Sequence, residues 1–127
     1  MLRFILIVFL MMWPQLVAAD PLMGLWLTPA DGKGQVAHVK VRACGQGYCG
    51  KIVEVRAKAG NAIDHKNLGK DLFWDMRPQG DGAYAGVGWV PLLNLKIRGE
   101  SQVSGDRLTF SGCSKVMCRE QVWKRLR

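Results

Sequence analysis

Val36-Ala37-His38-Val39-Lys40-Val41-Arg42 leads through Ala43 into Cys44-Gly45-Gln46-Gly47-Tyr48-Cys49-Gly50-Lys51-Ile52-Val53. In the first seven residues Ala37, Val39 and Val41 alternate with His38, Lys40 and Arg42. Successive side chains of an extended strand point to opposite faces, so this period of two predicts a half-buried β-strand. The cysteines then reverse the chain. A disulfide between residues five apart needs their α-carbons at about 5.5 Å, and Gly45 and Gly47 make so tight a reversal accessible. The stretch reads as a β-hairpin stapled near its turn.

Working outward, the same spacing recurs at Cys113 and Cys118. The expected pairs are Cys44–Cys49 and Cys113–Cys118, although bonds joining one hairpin to the other remain open from sequence. Loops this short restrict the unfolded chain little, so each bond is expected to contribute less than the usual range of about 2–4 kcal/mol. The spacing is not Cys-x-x-Cys, which argues against a redox-active pair. A four-cysteine zinc site is disfavoured where oxidation competes with metal.

The period of two continues along the chain. Leu72, Trp74 and Met76 alternate with Phe73, Asp75 and Arg77; Leu93, Leu95 and Ile97 alternate with Asn94, Lys96 and Arg98; Leu108 and Phe110 repeat the pattern. Residues that tolerate tight turns separate the runs at 31–34, 80–82 and 104–106. Eight strands are expected, beginning near Leu25, Val36, Cys49, Leu72, Ala83, Leu93, Arg107 and Cys118. Such a series forms a closed up-and-down barrel or a two-sheet sandwich, and the barrel is favoured because closure removes exposed edges. The one long connection, residues 58–70, has room for a single helical turn and for lidding or plugging a barrel end. No stretch past residue 19 keeps the apolar spacing of a long helix.

The first 19 residues read as a cleavable signal peptide. Met1-Leu2-Arg3 is a short cationic start, residues 4–13 are apolar, and Val17-Ala18-Ala19 offers small residues for cleavage before Asp20. The apolar run falls short of the about 20 residues a membrane-spanning helix needs. Residues 20–127 then form a single domain, exported to the periplasm or secreted, with no transmembrane segment. The formal net charge of +8 favours anionic partners such as an acidic envelope component, or serves solubility alone. Export disfavours nucleic acid.

Catalytic constellations are missing from the pattern. His38 and His65 lack metal-ligand spacing, and Asp64-His65 has no neighbouring nucleophile once both cysteine pairs are oxidised. Glu54, Asp71, Asp75 and Asp81 are the carboxylates available for glycoside chemistry, and in strands and turns they are expected to be solvated. No enzyme activity, cofactor or metal is expected.

Gly24-Leu25-Trp26, Asp31-Gly32-Lys33-Gly34, Cys44-Gly45-x3-Cys49-Gly50-Lys51-Ile52-Val53, Gly112-Cys113 and Cys118-Arg119-x-Gln121-x-Trp123-x-Arg125 together resemble the bacterial domain of unknown function 2147 family. The resemblance covers nearly all of residues 20–127 and implies an exported, lipocalin-like β-barrel of undefined biochemical activity. It departs at Val90-Pro91-Leu92-Leu93-Asn94-Leu95-Lys96, where the family carries aspartate-proline and glycine-lysine-threonine-tyrosine. It also implies that Trp26 of the first strand lies across the barrel floor with Arg125 of the last strand stacked on it, a cation–π contact worth about 0.5–2 kcal/mol. These two residues would close the barrel. Lys124 has the wrong parity to share their face.

A small barrel open at one end suits a hydrophobic or amphipathic small molecule. Trp74, Met76, Tyr84 and Trp89 are the candidate ligand-pocket residues. The competing reading, in which these side chains fill a ligand-free core and the basic surface serves for docking, carries more weight for them because eight strands enclose little volume. Gly86 and Gly88 make room for ligand or let their strand coil tightly.

Overall fold

The computed structural model describes residues 20–127, so the expected leader, residues 1–19, lies outside the described residues. The strands are β1 (Gly24–Leu27), β2 (Val36–Cys44), β3 (Gly47–Arg56), β4 (Ala62–Ile63), β5 (Asp71–Gly80), β6 (Ala83–Val90), β7 (Leu95–Ser104), β8 (Arg107–Cys113) and β9 (Cys118–Arg125). Hydrogen bonding runs in the order β2-β1-β9-β8-β7-β6-β5-β3 and returns from β3 to β2. Eight antiparallel strands thus form a closed barrel, and β4 is a short addition to β3. The alternation legible in residues 36–42 becomes the wall of this ring, with Val39 and Val41 buried inside.

Closure depends on β1, which pairs with β2 on one side and β9 on the other. Beyond the strand ends, Leu25 N–H donates to the Arg127 carbonyl (2.9 Å) and Leu126 N–H to the Leu25 carbonyl (2.7 Å). Gly24 has φ +130°, and a Cβ there would strike the Arg127 carbonyl oxygen. Only glycine fits so close an approach of the two chain ends.

Three elements differ from the sequence expectation. In β5, Phe73 and Met76 are both fully buried although they are three residues apart. A register shift between Trp74 and Arg77, with Asp75 at φ 51°, inserts an extra residue and reverses the parity expected from alternation. Strand β7 begins at Leu95 because Pro91–Leu93 forms a 3₁₀ turn, closed by Asn94 in the left-handed region. Leu93 is therefore a turn residue. The long connection holds no helical turn; Ile63 pairs with Val55, and turns occupy much of the remainder.

The two barrel ends are built differently. The turns β2–β3, β5–β6 and β7–β8 lie at one end together with residues 20–23 and the C-terminus. There Leu22 and Trp26 are wholly buried, and with Val39, Val41, Met76, Tyr84, Val103 and Leu108 they fill the interior. Burying each large apolar side chain contributes about 1.5–3 kcal/mol. At the other end lie residues 28–35, 57–70, 91–94 and 114–117, and the interior opens.

Candidate functional site

The plugged end is an interlocked set of polar contacts around an apolar core. The Arg125 guanidinium carbon stands 4.2 Å from the centre of the Trp26 ring. The same guanidinium donates to the Met23 carbonyl at 2.9 Å and to the Pro21 carbonyl. Trp26 Nε1 donates to the Leu22 carbonyl at 3.0 Å, and the Tyr84 hydroxyl donates to Asp20 Oδ1. Burial, then the bond to the Asp20 carboxylate, pushes the Tyr84 hydroxyl well above its ordinary pKa of 10.0. Tyr48, edge-on to Tyr84 at 6.1 Å, shifts upward for the same reasons. The four hydrogen bonds tie residues 20–23 into the plugged end.

The open end holds a cavity of about 660 Å³. Its walls include Ile52 and Val55 of β3, Leu72 of β5, Ile97 of β7, Phe110 of β8, and Gln121 and Trp123 of β9; its mouth carries Lys33, His65, Lys66, Leu92 and Arg119. Aromatic rings separate this space from the filled half. Phe110 and Trp123 stack at 5.6 Å, and Phe73 packs against both at 5.7 and 6.1 Å. Trp123 Nε1 donates to Gln121 Oε1 at 3.0 Å, which satisfies the indole without water. Glycines seat these rings: a Cβ at Gly50 would strike the Phe73 ring, and at Gly99 it would lie 2.9 Å from Phe110 Cζ.

The four candidate pocket residues do not come together. Met76 and Tyr84 belong to the filled half. The bulge at Asp75 leaves Trp74 outside that core, under Lys96, whose Nζ stands 5.7 Å from its ring. Trp89 alone of the four lines the cavity, at the rim, with its Nε1 donating to Asn94 Oδ1 (3.1 Å) and Lys70 Nζ 5.4 Å over its ring. Gly86 and Gly88 make no space for ligand. A Cβ on Gly88 would meet Phe110 and Ile97, and one on Gly86 would press on the backbone at Asp75 and Met76.

Phe110 and Trp123 form the cavity floor with Phe73 packed against both, and none of the three is among those candidates. Phe73 was hidden by the bulge. Phe110 has a usable signal, since Gly88 and Gly99 on neighbouring strands leave the room that its ring fills.

Both disulfides join hairpin ends, Cys44–Cys49 at the plugged end and Cys113–Cys118 at the open end. Three of the four carboxylates considered for catalysis are paired. Glu54 pairs with His38 (3.2 Å) and Arg56 (3.0 Å), Asp71 with Arg42 (3.1 Å), and Asp75 with Arg77 (2.8 Å). Asp64 accepts from the His65 backbone N–H, not from its ring, and His65 Nδ1 accepts from Asn67 N–H at 3.0 Å. That ring organises a turn. Among the described residues, no three His, Cys, Asp or Glu side chains are grouped to hold a metal ion, and no helix is long and apolar enough to cross a membrane.

A family model described as an uncharacterized protein conserved in bacteria (DUF2147) matches residues 24–125. No curated protein matches the sequence. Among solved structures, the fold is similar to that of protein HP1028 from the human pathogen Helicobacter pylori, described as belonging to the lipocalin family. The TM-score is 0.61 at 14% identity, over 84% of this chain and 83% of that one. At this identity the likeness concerns the fold alone.

Proposed function

The chain belongs to the DUF2147 family, and we propose that it is a non-enzymatic exported barrel that binds one small hydrophobic or amphipathic molecule in its open half. The observation that carries this reading is the cavity of about 660 Å³, lined at its base by the stacked Phe110 and Trp123 rings and open at one end. That volume lies within the range of about 300–1,000 Å³ usual for small-ligand sites. Gln121 and Arg119 are the polar groups available to orient a ligand whose apolar part rests on the aromatic floor.

Export supports the same reading. Residues 1–19 act as a leader cleaved after Ala19, residues 20–127 form the mature domain, and two disulfides suit an oxidising periplasmic or extracellular compartment. The alternative of a filled, ligand-free docking module fits only the plugged half of the interior.

The test is native mass spectrometry of the protein purified from its own envelope extract, followed by denaturation. A discrete small-molecule adduct, released on unfolding, is the expected result and identifies the ligand class. An unliganded mass in every extract, with no adduct regained on incubation with total envelope lipid, overturns the proposal.

A further inference from the structure

We infer that the open end of the barrel is a landing face for an anionic lipid bilayer, with the tips of the β6–β7 and β8–β9 hairpins as its apolar contacts. Leu92 is 81% exposed and Val116 is 87% exposed, each with a partly exposed apolar neighbour, Leu93 and Met117. Isolated apolar residues on a surface are ordinary. Here two doublets project from the same end on hairpins joined through the β7–β8 pair, where Arg98 faces Cys113.

The loops around these tips are cationic. The open-end loops carry Lys33, Lys58, Lys66, Lys70 and Lys115 against Asp31 and Asp64, and Asp31 Oδ1 already accepts the Lys33 and Gln35 backbone N–H groups. A mouth ringed this way is drawn to a negative surface. Apolar tips flanked by cations are what interfacial binding to anionic lipid requires, because burial and headgroup attraction act together.

Lipid is favoured over a protein partner by continuity. Leu92 belongs both to the exposed tip and to the cavity mouth, so apolar surface runs from the proposed acyl boundary into the barrel. The landing face does not depend on a bound ligand, and a protein that holds no ligand would still dock.

The test is co-sedimentation with vesicles of pure phosphatidylcholine and of phosphatidylcholine mixed with phosphatidylglycerol. Binding to the mixed vesicles, weakened by salt, is expected. Leu92→Glu combined with Val116→Glu should lower the affinity about tenfold or more, and Lys115→Gln about fivefold. Arg107→Gln, at the plugged end, should change neither. Retention of full binding by the double variant, equal binding to both vesicle types, or absence of binding overturns the inference. So does concentration-dependent dimerisation without lipid that Leu92→Glu abolishes, because a second copy would then cover the tips.

Discussion

The two ends of this barrel are made from the same eight strands yet solve opposite problems. At the plugged end residues 20–23 turn inward, and Trp26, Arg125, Tyr84 and Asp20 bind one another until no space remains. At the open end the loops stay outside, three aromatic rings cap the core, and the space above them is empty of side chains. A closed ring therefore need not be uniformly packed. Stability can be concentrated in one half, which frees the other for recognition.

The largest test of this division is a pair of tryptophan substitutions. Trp26→Ala should cost about 3–5 kcal/mol, read as the urea midpoint, because it opens a void in the floor and removes the surface on which Arg125 stacks. Trp89→Ala at the rim should cost less than about 1 kcal/mol and act mainly on ligand uptake. Equal losses would break the comparison.

The disulfides offer a closer contrast, because both have a sequence separation of 5. Chain entropy then predicts equal contributions from the two bonds. Cys49 is buried whereas Cys113 and Cys118 are exposed. Replacing Cys44 and Cys49 by serine should thus cost more than replacing Cys113 and Cys118, since it also places a hydroxyl at a buried position. Thermal unfolding of the two double variants measures the difference.

Alkaline titration probes the floor alone, because the only two tyrosines of the chain are Tyr48 and Tyr84. Both hydroxyls are pushed upward in the folded protein, Tyr84 the further. Their protonated forms are favoured by folding. The stabilisation is complete below the unfolded value of 10.0 and is lost as pH rises above it toward the folded values. Tyrosinate absorbance should appear late and together with unfolding, while a titration at the ordinary value would show the floor to be open to water.

The smallest effect locates the boundary between the halves. Ser101 is buried, and its Oγ has no hydrogen-bond partner. Ser101→Ala should raise stability by up to about 1 kcal/mol. A loss instead would mean that water from the cavity reaches this position and the filled half is shorter than the packing indicates.

Most of the ring could be read from alternation and turns. Val39, Val41 and Leu108 are buried where a regular strand places them. The candidate pocket could not be read the same way. One extra residue at Asp75 exchanges the faces of Trp74 and Phe73 relative to Met76, and aspartate adopts the required backbone without leaving a mark in the sequence. The aromatic floor depends on which glycine of one strand lies beside which ring of another. Composition does not contain that register.

Strand β1 is hydrogen-bonded to β9, so the first strand of the domain waits for the last. Synthesis delivers the chain in order, and Arg125 arrives about a hundred residues after Trp26. Until then β2 to β8 can form neighbouring hairpins but have no partner for the final seam, and Trp26 has no cation above it. Ring closure is therefore a property of the completed domain. Its fastening stitch joins the first strand of the ring to the last.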